Sequence, residues 1–343
     1  MKSPAATVLR MLLFTLLAST LACESDGRRE LAGPTRVAAE GPQRGSDARF
    51  ELHPYLGYTY APGREGVNGH GFEAGGREYP YSRGDEEFVV GVFGGSAALQ
   101  VAKQAKAIEE ALLPGLKSKG YTRVTVLPFA VEGWRQPQTF HAFASYLPTI
   151  DMALVVDGLG EVLEFSDAGR KGWPADYPSA EIYAPLAGRS VRGPEAGSLA
   201  ERSERYFDAW EDRIRLMDLI GLGRNKPVLH FIQPNPYDDP EHEADAIGAD
   251  VTPLYRRLRD LAERLSRDGV SSHFLGDALG EVEEPVYTDE CCDLTDDGAA
   301  GLTLAVTREV EFSGQIDEAP AAADRDLPDT GSEVEVPLLG SDS

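Results

Sequence analysis

Five short apolar runs, separated by longer stretches with helical spacing, restrict this chain to very few architectures. The runs are Phe88 to Phe93, Val124 to Leu127, Met152 to Val156, Val228 to Ile232, and a weaker one around His273 to Leu275. Strands buried between two helical layers read in this way, as brief uninterrupted apolar segments rather than alternating ones. Between them, Val101, Ala105, Ile108 and Leu112 recur at spacings of four and three, and so do Tyr206, Trp210, Ile214 and Met217. Thr252-Pro253 is placed as the cap and first residue of a third helix. The expected fold class is α/β, with three α/β/α layers and a doubly wound, mainly parallel five-stranded sheet.

The ends of the chain differ from this middle. Lys2 and Arg10 precede the apolar run Met11 to Leu17, the pattern of an export signal that is too short to span a bilayer as a helix. Leu21-Ala22-Cys23 resembles a bacterial lipobox, apart from Thr20 where an aliphatic residue is usual, so Cys23 is the expected lipid attachment point. The expected organisation is a signal peptide over 1–23, a Gly- and Pro-rich linker over 24–50, one domain over 51–312, and an acidic disordered tail over 313–343. Residues 165 to 200 read either as a lid over a pocket or as an irregular excursion.

A net charge of -24 repels phosphate backbones and anionic lipid headgroups, which excludes nucleic acid as a partner and leaves the lipid anchor as the route to a membrane. Apart from Cys23, the only cysteines are the adjacent Cys291 and Cys292, which make no disulfide framework and have no second pair at metal-ligand spacing. No cofactor and no metal site is expected.

The chemistry-bearing residues fall where the runs end. Gly94-Gly95-Ser96 follows the first run and leads directly into a helical stretch, which places a hydroxyl at a strand-to-helix turn. The unpaired N–H groups of the first helical turn can there face a developing negative charge. Gly133 and the segment Asp157 to Glu161 fall at the ends of neighbouring strands, the edge at which open parallel sheets bind ligands.

Taken in order, these blocks resemble the SGNH (GDSL-like) hydrolases, specifically a cell-envelope branch, over about residues 51 to 312. Phe93-Gly94-Gly95-Ser96 is similar to the nucleophile block, and Gly133-Trp134-Arg135-Gln136-Pro137-Gln138 to the glycine block. Val156-Asp157-Gly158-Leu159-Gly160-Glu161 is similar to the asparagine block, and Tyr287 to Gly298 to the terminal aspartate and histidine block. Asn68-Gly69-His70-Gly71-Phe72 and Ile232-Gln233-Pro234-Asn235 extend the likeness. The resemblance implies a flavodoxin-like sheet and a serine ester hydrolase acting on acyl or acetyl esters of envelope lipids or glycans. It implies Ser96 as nucleophile, Asp289 as the residue that orients the base, and an oxyanion hole from Ser96, Gly133 and the asparagine position.

Two positions depart from the pattern. Gly160 stands where the asparagine is expected and Asp293 where the histidine is expected. A carboxylate near its ordinary pKa of about 3.9 is a poor acceptor for a serine proton, whereas an imidazole near about 6.5 transfers in both directions. Losing one oxyanion donor costs roughly 10² to 10³ in rate, and losing the base can cost more. Ordinary turnover is therefore not expected unless a histidine such as His70 or His273 reaches Ser96, burial activates Asp293, or a cation intervenes. The alternative is a catalytically inactive protein that keeps the pocket to bind a glycan or an envelope partner. Trp134, Gln136, Gln138 and Glu161 are the substrate-pocket candidates, with loop-backbone satisfaction or core packing as the competing reading. The expected partner is an acylated small molecule, lipid or glycan; oligomeric state is not specified.

Overall fold

The computed structural model describes residues 49–166, 178, 180–188, 199–236, 246–280, 282, 285–288 and 293–324. The expected signal peptide, Cys23, the linker as far as residue 48, Asp289, the Cys291-Cys292 pair and residues 325–343 lie outside the described residues.

The chain first makes a hairpin, β1 (Phe50–His53) with β2 (Gly57–Tyr60). A second sheet is wholly parallel and has the spatial order β4 (Arg123–Ala130), β3 (Glu87–Gly94), β5 (Met152–Asp157), β6 (Val228–Ile232), β7 (Ser272–Phe274). All five apolar runs are strands of this sheet. Every residue of β3, β5 and β6 is buried, as the uninterrupted apolar sequence requires of strands covered on both faces.

Helices α1 (Ser96–Lys103), α2 (Ala105–Lys117) and α8 (Asp296–Phe312) pack together on one face. The other face carries α3 (Gln136–Tyr146), α6 (Leu199–Gly223) and α7 (Ala246–Arg267), with α4 (Leu159–Ser166) against α7. The short α5 (Ala180–Leu186) packs instead on the β1–β2 hairpin. The architecture is thus the three-layer, doubly wound α/β/α sandwich expected from the sequence. Its strand order reverses between β3 and β5, the switch point beyond whose carboxyl ends open parallel sheets bind their ligands.

Three boundaries differ from expectation. Helix α7 begins at Ala246 and carries Pro253 inside it, so Thr252-Pro253 is not its start. A proline near the beginning of a long helix removes one backbone hydrogen bond, which the remaining turns outweigh. The tail does not begin at Ser313. Residues Gln315–Glu318 form α9, Ile316 and Ala319 are buried, and Lys119 Nζ donates to the carbonyls of Asp317 and Ala319 at 2.6 and 2.7 Å. The acidic composition there hid two apolar anchors at a spacing of three. The hairpin was missed because its strands have only four residues each.

Polar groups in the sheet are held at its lower end. Asp151 accepts from Val89 N–H at 2.8 Å and pairs with Arg83, both side chains being nearly buried. Glu87 accepts from Gly84 N–H, Tyr81 OH, Thr125 and Arg123. Burial alone would raise the Glu87 pKa, but those four hydrogen bonds outweigh it and bring the carboxyl down to about 2.

His230, at the centre of β6, is fully buried, and neither ring nitrogen has a hydrogen-bond partner among the described residues. Burial first, and His273 second, push it down to about 3. A base whose folded pKa is depressed withholds a proton that the unfolded chain accepts. Stability is therefore lost as pH falls from about 6.5 toward about 3. We expect His230→Leu to unfold at the same or a higher temperature near neutrality and to lose much of this acid sensitivity. Parallel melting profiles of variant and parent between those pH values would contradict the assignment.

Candidate functional site

Ser96 is the first residue of α1, directly beyond the carboxyl end of β3 and at the point where the strand order reverses. Two backbone approaches force glycine before it. Gly94 has φ +142°, and a Cβ there would lie 2.1 Å from the carbonyl oxygen of Val156 on β5. A Cβ on Gly95 would lie 2.6 Å from the carbonyl oxygen of Trp134. The Ser96 side chain is half-buried, and its hydroxyl forms no hydrogen bond with a described residue.

The loop after β4 supplies Gly133 and Trp134. Gly133 has φ +74°, and a Cβ on it would meet Tyr58 Oη and Ile182 Cδ1, each at 2.7 Å. The hairpin buttresses this loop: Tyr58 OH donates to Glu132 O at 3.0 Å, and Trp134 Nε1 donates to Tyr58 O at 2.9 Å. The loop after β5 brings in Gly160, which is exposed in the first turn of α4. Among the described residues, its only close neighbour at a Cβ position is again the Trp134 carbonyl, at an ordinary 3.7 Å. The Ser96 turn, the Gly133 loop and the Gly160 turn therefore converge on one backbone carbonyl.

The terminal block is tied to the same helix. Tyr287 and Leu294 form an antiparallel bridge, Thr288 N–H donates to Asp293 O at 2.7 Å, and Leu294 N–H donates to Gln100 Oε1 at 3.3 Å. Gln100 is one helical turn beyond Ser96. Asp293 is exposed, and the following Thr295 caps α8 through Gly298 N–H at 3.0 Å. His70 hydrogen-bonds Tyr146 at 3.0 Å, and His273 pairs with Glu309 at 2.9 Å. Neither makes a described contact with Ser96. Among the described residues, no group of three or more His, Cys, Asp or Glu side chains is arranged to hold a metal ion.

The pocket candidates Trp134, Gln136, Gln138 and Glu161 are corrected: all four side chains are buried. Glu161 accepts from Gly158 N–H at 2.8 Å and from Gln136 N–H at 3.1 Å, while Gln136 Nε2 donates to Asp157. Gln138 Oε1 accepts from Arg135 N–H at 3.4 Å. These groups brace the loops from beneath and leave no face for substrate hydroxyls. Asp157 was not singled out as a site residue. The signal was present, as a carboxyl closing an otherwise apolar strand with a second carboxyl four residues on.

No family model matches the chain, and no curated protein matches it. Solved structures similar to it include a GDSL-like lipase from Bacteroides thetaiotaomicron, at 11% identity over 67% of this chain and 89% of that one, with a TM-score of 0.36. An acetyl xylan esterase from Geobacillus stearothermophilus matches at 13% identity over 66% and 95%, with a TM-score of 0.40. A lipase/acylhydrolase from Enterococcus faecalis matches at 8% identity over 66% and 96%, with a TM-score of 0.36. Likeness at this level carries no argument about this chain, and its architecture rests on the strand order given above.

The glycine geometry separates two otherwise similar substitutions. Gly160→Ala is expected to change unfolding stability by less than about 1 kcal/mol, because its Cβ finds room on a helix. Gly133→Ala is expected to cost about 2 kcal/mol or more, from the left-handed φ and the crowded contacts together. Urea unfolding of the two variants checks this, and equal losses would refute the geometry.

Proposed function

We propose that this chain is an exported protein of SGNH-hydrolase type, ancestrally a serine ester hydrolase, whose Ser96 site now binds acyl or acetyl esters of envelope lipids or glycans without efficient turnover. The observation that carries this reading is the convergence of the Ser96, Gly133 and Gly160 turns at the switch point, with no described histidine in contact with Ser96. The convergence supports a retained ester-shaped crevice. Asp293, exposed and attached beside α1, supports loss of the proton acceptor, and Gly160 offers only its backbone in place of a side-chain donor. Asp289 is proposed as the remnant of the orienting carboxylate, and Cys23 as the lipid anchor of an envelope lipoprotein.

The full chain is expected to show little labelling by a fluorophosphonate and hydrolysis of short aryl esters close to background. Strong labelling that Ser96→Ala abolishes would instead establish a working hydrolase. Asp293→His combined with Gly160→Asn is expected to raise ester hydrolysis at least about tenfold, since one restores an imidazole and the other an oxyanion donor. Retained folding with no gain would show that the crevice itself has been remodelled. Cys23→Ala is expected to move the protein from the membrane fraction to the soluble fraction.

A further inference from the structure

Beneath the two loops that flank Ser96 lies a buried polar cluster that the proposed ester site does not use. Asp157 at the end of β5 and Glu161 in the first turn of α4 are 3% and 1% exposed. Gln136, from α3, grips both: its backbone N–H donates to Glu161 and its side-chain amide donates to Asp157. Glu161 also accepts from Gly158 N–H. One residue pair therefore fastens the loop that carries Gly133 to the turn that carries Gly160.

The donors are unevenly shared. Glu161 has two backbone N–H groups, one for each carboxylate oxygen, whereas Asp157 has one side-chain donor, and its Oδ1 is buried without a partner. Gln136 Oε1 is likewise a buried acceptor without a donor. The indole N–H of Trp210, on α6, lies toward Asp157 and opposes the rise of its carboxyl, but not at a distance and angle that complete a hydrogen bond. Two stranded acceptors beside two carboxyls describe a cluster that lacks a hydrogen. We propose that Asp157 and Glu161 share a single proton in the folded protein, held on Asp157, and that this proton latches the Gly133 and Gly160 loops together.

The charged and titratable surroundings favour this placement. Burial first, and Glu161 second, raise the Asp157 carboxyl well above the usual range. Burial raises Glu161 too, but the Gly158 and Gln136 N–H groups and Arg135 oppose it. Arg135, the residue that precedes α3, stands over the Tyr206 ring at 5.9 Å, and Arg213 of α6 acts on the same tyrosine. Burial pushes the Tyr206 phenol upward, so it stays neutral where Asp157 would ionise. From α7, Tyr255 OH is committed to Gln233 O. Because the folded state keeps a proton that the unfolded chain releases, stability falls as pH rises from the ordinary carboxyl value of about 3.9 toward the raised folded value, and is level above it. The acid-side loss due to His230 is confined below about pH 6.5 and is common to parent and variant, so it cancels when their profiles are compared.

The test uses the full chain and needs no substrate, so it can fail or succeed independently of the ester-binding reading. Thermal midpoints are measured from about pH 4 to about pH 10 for the parent and for Asp157→Asn, which copies the neutral form. The parent midpoint should fall relative to that of Asp157→Asn as pH rises through this range. Parallel profiles overturn the proposal. Should Asp157→Asn not fold, the protons released by His230→Leu on unfolding, followed from about pH 5 to about pH 8, decide the matter, from calorimetry in buffers of different ionisation enthalpy. About one proton per chain supports the shared proton, and none overturns it.

Discussion

The close approach of three backbone turns at the β3–β5 switch point is the constraint on which the rest of this structure depends. The Trp134 carbonyl sits against both Gly95 and Gly160, and Gly94 lies against the carbonyl of Val156. No side chain larger than hydrogen fits at Gly94 or Gly95. That crowding brings Ser96 to the edge of the sheet and fixes where the neighbouring loops must run. The hairpin and α5 then serve as outer walls, pressing Tyr58 and Ile182 against Gly133.

Much of this was legible in the sequence because the relevant signals are local. Apolar runs of three to six residues with helical spacing between them specify the layered sheet, since only a doubly covered strand tolerates so few polar side chains. Gly94-Gly95-Ser96 marked the turn because paired glycines between a strand and a helix have few other uses. The roles of Gln136, Gln138 and Glu161 were not legible. A glutamine on a loop looks the same in sequence whether it faces solvent or a buried carboxylate, and the choice is made by packing of α3, α4 and α6 far apart in the chain. Pro253 misled for a similar reason, since a proline marks a helix start only when tertiary contacts do not extend the helix before it.

Glu161 illustrates how a catalytic-looking residue type can be spent on architecture. Its two oxygens satisfy two N–H groups from separate loops, the service a helix-capping carboxylate gives, but across elements. Leaving either N–H unmatched in this interior would cost on the order of 1–3 kcal/mol. The polar bracing below Ser96 thus belongs to the frame of the site rather than to its exposed edge.

The final described residues act as a strap. Lys119 holds the carbonyls of Asp317 and Ala319, Tyr121 OH donates to Pro320 O at 2.9 Å, and Ile316 fills the space beside Gly115. These contacts close the junction between α2 and β4, which is among the earliest parts of the sheet to be synthesised. An emerging chain therefore carries an open seam in its first βαβ unit until nearly its last segment arrives.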